Sequence, residues 1–200
     1  MIGFGLTHLD PYQPVRIMPE YKFGDKSMTN KILVSYASQA GSTAGVAEAI
    51  AETLSEGGAQ VDVMPMRDVH DLSSYQAVVA GSAIHGQKWL PEAMQFMHAH
   101  QSELTSKPFA AFMVCIPLSM ANADHYREGL KAWMRPVREL VRPVSEGYFA
   151  GALDFSKLPC SFNMLAMRLV VLSGTWKEGD FRAWKAIRAW AESLQAQLHG

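Results

Sequence analysis

The 200-residue sequence predicts an α/β fold, a five-stranded parallel sheet wound on both faces by helices. Two observations carry this. Near-continuous apolar runs recur at Ile32–Tyr36, Tyr75–Gly81 and Phe109–Ile116, and strands apolar on both sides are strands covered on both faces. Between them lie stretches whose apolar residues return every three or four positions, the spacing of amphipathic helices.

The elements follow in order. Ile32–Tyr36 is the first strand; it ends in the small, hydroxyl-rich turn Ser38-Gln39-Ala40-Gly41-Ser42-Thr43. A helix pattern starts at once, with Val46, Ala47, Ile50, Ala51 and Leu54 on one face. Val61–Met64 is a short second strand and Tyr75–Gly81 a buried third. Leu90–His100 reads as a helix, with Pro91 suited to its first turn. After the fourth strand, Phe109–Ile116, a helix is expected over Asp124–Leu140, ending before Pro143. Gly147–Leu153 is a weak fifth strand. Phe181–Leu198 closes the chain as an amphipathic helix with Phe181, Trp184, Ile187, Ala191, Leu194 and Leu198 aligned. Residues 1–30, broken by Pro11, Pro14 and Pro19, read as an irregular N-terminal extension. The domain proper then spans 31–200, with Met28 as an alternative start.

Composition narrows the function. Eighteen Lys+Arg against nineteen Asp+Glu leave no basic footprint for nucleic acid. Cys115 and Cys160 form neither a disulfide framework nor a metal motif, which fits a reducing cytoplasm, and no signal peptide is recognisable.

The turn at 38–43 is the most informative segment. A strand passing through small residues into a helix N-terminus leaves backbone N–H groups pointing one way, a setting for an anion. Gly41-Ser42-Thr43 lacks the Lys of a P-loop, and the three glycines of a dinucleotide fingerprint are missing. Hydroxyls at Ser38, Ser42 and Thr43 without cationic side chains suit a terminal monophosphate such as that of FMN. The spacing S-x-x-G-x-T before a helix resembles the phosphate loop of flavodoxins, with Ala40 and Ser42 where Thr and Asn are usual. The resemblance implies the strand order 2-1-3-4-5 and a ligand outside the carboxyl ends of the first and third strands. Three loops would then meet it: Ser38–Thr43, Ser82–Trp89 and Pro117–Ala123, the last contributing Pro117 and Leu118.

In the second loop, small Ser82 and Ala83 would let the backbone approach the flavin beside Ile84, and Gly86 would let a peptide reorient with redox state. Trp89 either covers a ring face or is a partly buried aromatic at a helix start. His85 is a loop residue near the ring or, alternatively, a general acid. The chain lacks the Asp of a response regulator, the Cys and Arg of a low-molecular-weight phosphatase, and a G-x-S-x-G elbow.

The stretches GSAIHGQKW…FMHAH, FAAFMVCI and GYFAGALDFSKLP…LSGTWKEGDFRAW are similar to one flavodoxin-like branch, the menaquinone-dependent protoporphyrinogen dehydrogenases and their relatives. That resemblance implies FMN chemistry and a small-molecule or quinone redox partner, with protoporphyrinogen oxidation as the specific activity. A flavodoxin-type electron carrier and a non-enzymatic assembly module are the other readings. The branch carries an insertion near the fifth strand, here Phe155–Lys177. Its segment Phe162–Leu172 is aliphatic apart from Arg168 and too short to cross a bilayer, which takes about 20 residues. Such a segment packs on its own domain, forms a homodimer interface, or touches the inner membrane face peripherally.

Overall fold

The computed structural model describes residues 30–119, 129–153 and 179–198. The N-terminal extension and the insertion 155–177 lie outside the described residues. The chain runs β1 (Lys31–Ala37), α1 (Ser42–Glu56), β2 (Gln60–Pro65), β3 (Ala77–His85), β4 (Lys88–Trp89), α2 (Pro91–Ala99), α3 (Gln101–Thr105) and β5 (Phe109–Cys115). It continues through α4 (Arg135–Leu140), β6 (Ser145–Ala150), β7 (Ala152–Leu153), β8 (Gly179–Asp180) and α5 (Trp184–Leu198).

The main sheet has the order β2-β1-β3-β5-β6, every pair in it parallel. With the two-residue β4 set aside, this is the expected 2-1-3-4-5. Side chains alternate across it. Ile32, Val34, Val79, Phe112 and Val114 face α1 and α5, meeting Val46, Ile50, Ile187 and Leu194. Leu33, Val78, Phe109 and Met113 face α2 and α4, meeting Phe96, Met97 and Val137. β1, β3 and β5 are thus sandwiched between two cores, which is why their sequences are apolar without interruption.

Three elements depart from the pattern in the sequence. Of the helix expected over 124–140, residues 124–128 lie outside the described residues, and the remainder is interrupted by a 3₁₀ turn at Ala132–Met134. Pro136 has no N–H for Ala132 and its ring crowds that carbonyl, so α4 restarts with the proline in its first turn. The last helix begins at Trp184, three residues late. The preceding residues are drawn into other bonds: Asp180 pairs with Ala152, and Phe181 N–H donates to the Gly151 carbonyl at 3.2 Å. The fifth strand starts earlier, at Ser145, despite its polar opening.

A charged network secures that edge strand. Arg138 donates from Nε and Nη2 to the two carboxylate oxygens of Glu146, each at 2.6 Å, and Tyr148 donates its hydroxyl to the same carboxylate. The guanidinium holds the Glu146 carboxyl below its ordinary value of 4.5. A lowered folded pKa means the stabilisation is present above that value and is lost as pH falls through the folded one. Glu146→Gln should therefore lower Tm by about 2–4 °C at pH 7. The difference from the parent should shrink in thermal scans as pH falls below the ordinary carboxyl value of 4.5, since its loss tracks protonation of this carboxyl.

Candidate functional site

β1 delivers Ser38 to the carboxyl edge of the sheet, where the chain must reverse into α1. The reversal turns on Gly41, whose φ of 83° lies in the left-handed region that glycine enters at little cost. Ser38 Oγ accepts the Gly41 N–H at 3.0 Å, and Gly45 N–H reaches the Gly41 carbonyl at 3.3 Å to open the helix. Gly41 brings no side chain to cap it. The N–H groups of Ser42, Thr43 and Ala44 consequently find no acceptor among the described residues. Thr43 is fully buried beside them, and its Oγ1 has no hydrogen-bond partner among the described residues. An orphaned buried hydroxyl costs about 1–3 kcal/mol, a cost that an acceptor from outside the described residues would relieve.

The second predicted loop is a β-hairpin. β3 runs past its neighbours, pairing with β1 as far as Ser82 and with β5 as far as Ala83. Ile84 and His85 then pair back onto Trp89 and Lys88. Gly86 and Gln87 both have positive φ, 56° and 65°, the backbone of a type I′ turn. The turn places Gly86 at the exposed hairpin tip, next to His85 of the cleft wall. Of the two readings of Trp89, its position matches the aromatic buried just before a helix: it is 4% exposed and lies in the core facing α2, because antiparallel pairing with Ile84 turns it inward. Ser82 is buried and structural, its Oγ accepting the Leu90 N–H at 3.0 Å. Pro117 and Leu118 sit in a 3₁₀ turn, Ile116–Ser119, outside the cleft wall, with Leu118 packed on the core.

Most of what remains comes together, with Gly41 and Thr43 outside the cleft lining. A cleft over the carboxyl ends of β1, β3 and β5 is lined by Ser38, Gln39, Ala40 and Ser42 on one side and by Ala83, Ile84 and His85 on another. Sequence reading missed its floor and far wall, Val114, Cys115 and Ile116 from the end of β5 and Gly151, Ala152 and Leu153 after β6. The rule that ligands sit beyond strand carboxyl ends marks the first three; the last three were hidden inside a weak strand. Burial pushes the Cys115 thiol up to about 11, so it behaves as a small apolar group. The cleft encloses about 110 Å³. That is below the roughly 300 Å³ of a small ligand pocket. No Asp, Glu, Lys or Arg lines it among the described residues.

Comparison with known proteins agrees with this fold. The flavodoxin domain family matches residues 33–178, well over half of the chain. The chain belongs to the flavodoxin domain family. A protoporphyrinogen IX dehydrogenase [quinone] from Leishmania major is 25% identical over 179 residues, covering 85% of this chain and 77% of that protein. A Streptococcus pneumonia TIGR4 flavodoxin superposes with a TM-score of 0.53 at 16% identity, covering 83% of this chain and 98% of its own. A flavodoxin from the domain Archaea gives 0.51 at 18% identity, covering 85% and 99%. These two similarities are of fold. As a flavodoxin domain the protein binds FMN and serves electron transfer. The Thr43 hydroxyl and the three N–H groups beside it, which have no acceptor among the described residues, fit a phosphate acceptor. No helix among the described residues is long and apolar enough to cross a membrane.

Proposed function

We propose that this flavodoxin domain is an FMN-dependent oxidoreductase that passes electrons from a reduced donor to a quinone-type acceptor. In this reading Ser38, Ser42, Thr43 and the first N–H groups of α1 hold the FMN phosphate, Gln39 and Ala40 supply the outer wall of that loop, and Ala83, Ile84 and His85 meet the ring. FMN supplies the acceptance and release of one or two electrons. The chain's residues bind it, exclude water and shape access. The observation that carries the enzyme reading is the cleft wall: Ala83, Ile84, Val114, Ile116, Ala152 and Leu153 are apolar, and no carboxylate stands among the described lining residues. A lipid-soluble acceptor needs such an approach, whereas a protein partner of a carrier is usually steered by charge.

The Leishmania major relative is named for protoporphyrinogen IX and a quinone, which supports the same acceptor class and makes a porphyrinogen the first donor to try. The sequence of segment 162–172 is aliphatic apart from Arg168, a composition suited to a peripheral membrane contact or a homodimer. The FMN-loaded protein should turn over a menaquinone analogue. Leu169→Ser with Leu172→Ser should raise KM about ten-fold, the effect of two apolar side chains that no longer meet the quinone. Unchanged quinone kinetics with a dimer converted to monomer in sedimentation would make the segment an assembly element. The carrier reading would then lead.

A further inference from the structure

The segments around β7 and β8 come close against the start of α1 at two separate places, one at Ser42 of the phosphate loop and one at Gly45. The first is Gly151. A Cβ there would stand 3.3 Å from Ser42 Oγ and 3.1 Å from Val114 Cγ1, so the backbone lies directly against the hydroxyl at the start of α1. The Gly151 carbonyl accepts the Phe181 N–H, and β7 pairs with β8, so the two chain segments form one neck. The second is Arg182. Its guanidinium is held by Asp180, Nε to Oδ1 at 2.8 Å and Nη2 to Oδ2 at 2.6 Å, and it lies over the Trp184 ring at 4.3 Å. The third nitrogen, Nη1, presses on the first turn of α1, where a Cβ on Gly45 would stand only 2.5 Å away. A glycine at 45 and a glycine at 151 are what let the neck approach the loop this closely.

We propose that the β7–β8 neck is a second wall of the phosphate site, with Gly151 a specificity-determining residue and Arg182 the positioning residue that holds the neck against α1. This rests on the reading that Ser38–Thr43 takes the FMN phosphate, and it goes beyond it. The wall closes the phosphate end of the cleft, so a terminal monophosphate fits while a phosphate that continues into a second nucleotide meets Gly151 and Ala152. Arg182 is paired with Asp180 through Nε and Nη2 and stacked on Trp184, and it acts through the position of the neck rather than as a free cation.

The test is titration of the apoprotein with FMN, riboflavin and FAD, followed by flavin fluorescence, for the parent, Arg182→Ala and Gly151→Ala. The parent should prefer FMN to FAD by about ten-fold or more, a discrimination of the size that one unfavourable contact produces. In both variants FMN affinity should fall about ten-fold while riboflavin, which has no phosphate, changes by less than about two-fold. The preference over FAD should narrow in Arg182→Ala. Equal losses for FMN and riboflavin, no loss for either, or a parent that takes FAD as well as FMN would each overturn the wall. A parent that binds FMN no better than riboflavin would overturn the phosphate-loop reading itself, and the wall with it. Gly151→Ala guards against a folding failure in the Arg182 variant, since it adds one methyl and leaves the Asp180 pair intact.

Discussion

Thr43→Val is expected to move stability and cofactor affinity in opposite directions. Valine has nearly the same shape as threonine but removes the hydroxyl that is buried without a partner. In the apoprotein the substitution relieves an unsatisfied polar group, so stability should rise by about 1 kcal/mol. In the FMN-loaded protein it deletes a donor to a charged acceptor, and about 1.5–3 kcal/mol of affinity should go, a Kd increase of roughly 10- to 150-fold. Chemical denaturation of the apoprotein and fluorescence titration with FMN measure the two halves separately. An apoprotein destabilised by the change, with FMN affinity intact, would mean that the hydroxyl does a structural job and meets no phosphate.

Gly81→Ala should be among the most damaging single substitutions available in the sheet. Gly81 stands opposite Phe112 in the parallel register of β3 and β5, and the phenyl ring lies across it. A Cβ at 81 would be 2.0 Å from Phe112 Cζ and 2.3 Å from Cε2. The ring has nowhere to go, because Phe149 and Trp190 hem it in, each with its centroid 6.2 Å away. Overpacking a core in this way costs about 3 kcal/mol or more. Phe112→Ala alone should cost about 3–5 kcal/mol through the cavity it leaves. In the double variant the new methyl enters that cavity, so the two losses should fall well short of additive. Urea denaturation of all four proteins tests this, and strict additivity would show that the two residues do not share the space.

The parts of this molecule legible in its sequence are those where local pattern and tertiary demand agree. ILVSYA followed by a small-residue turn and a 3.6-residue apolar period can satisfy its burial in one way, as a central strand feeding a helix, and β1–α1 follows it. FAAFMVC is equally unambiguous. The hairpin was hidden because type I′ turns favour Asn-Gly, whereas His85-Gly86-Gln87-Lys88 places a non-glycine in the second left-handed position. Trp89 was ambiguous for the same reason, since its burial depends on a pairing with Ile84 that no periodicity displays. SEGYFA reads as a poor strand, yet the Arg138–Glu146–Tyr148 network makes it a good edge. In the cleft, the chemistry of Ser38–Thr43 was visible as composition. The approach of Gly151–Leu153 depends on its meeting a loop more than a hundred positions earlier, and only the folded chain brings the two together.

The central claim is that FMN held here is emptied of electrons by a quinone. Anaerobic stopped-flow absorbance tests it most directly, mixing the FMN-loaded, chemically reduced protein with a water-soluble menaquinone analogue. Saturable reoxidation is expected, returning the full oxidised flavin absorbance faster than free reduced FMN under the same conditions. Reoxidation no faster than that of free FMN, or independent of quinone concentration, would contradict it.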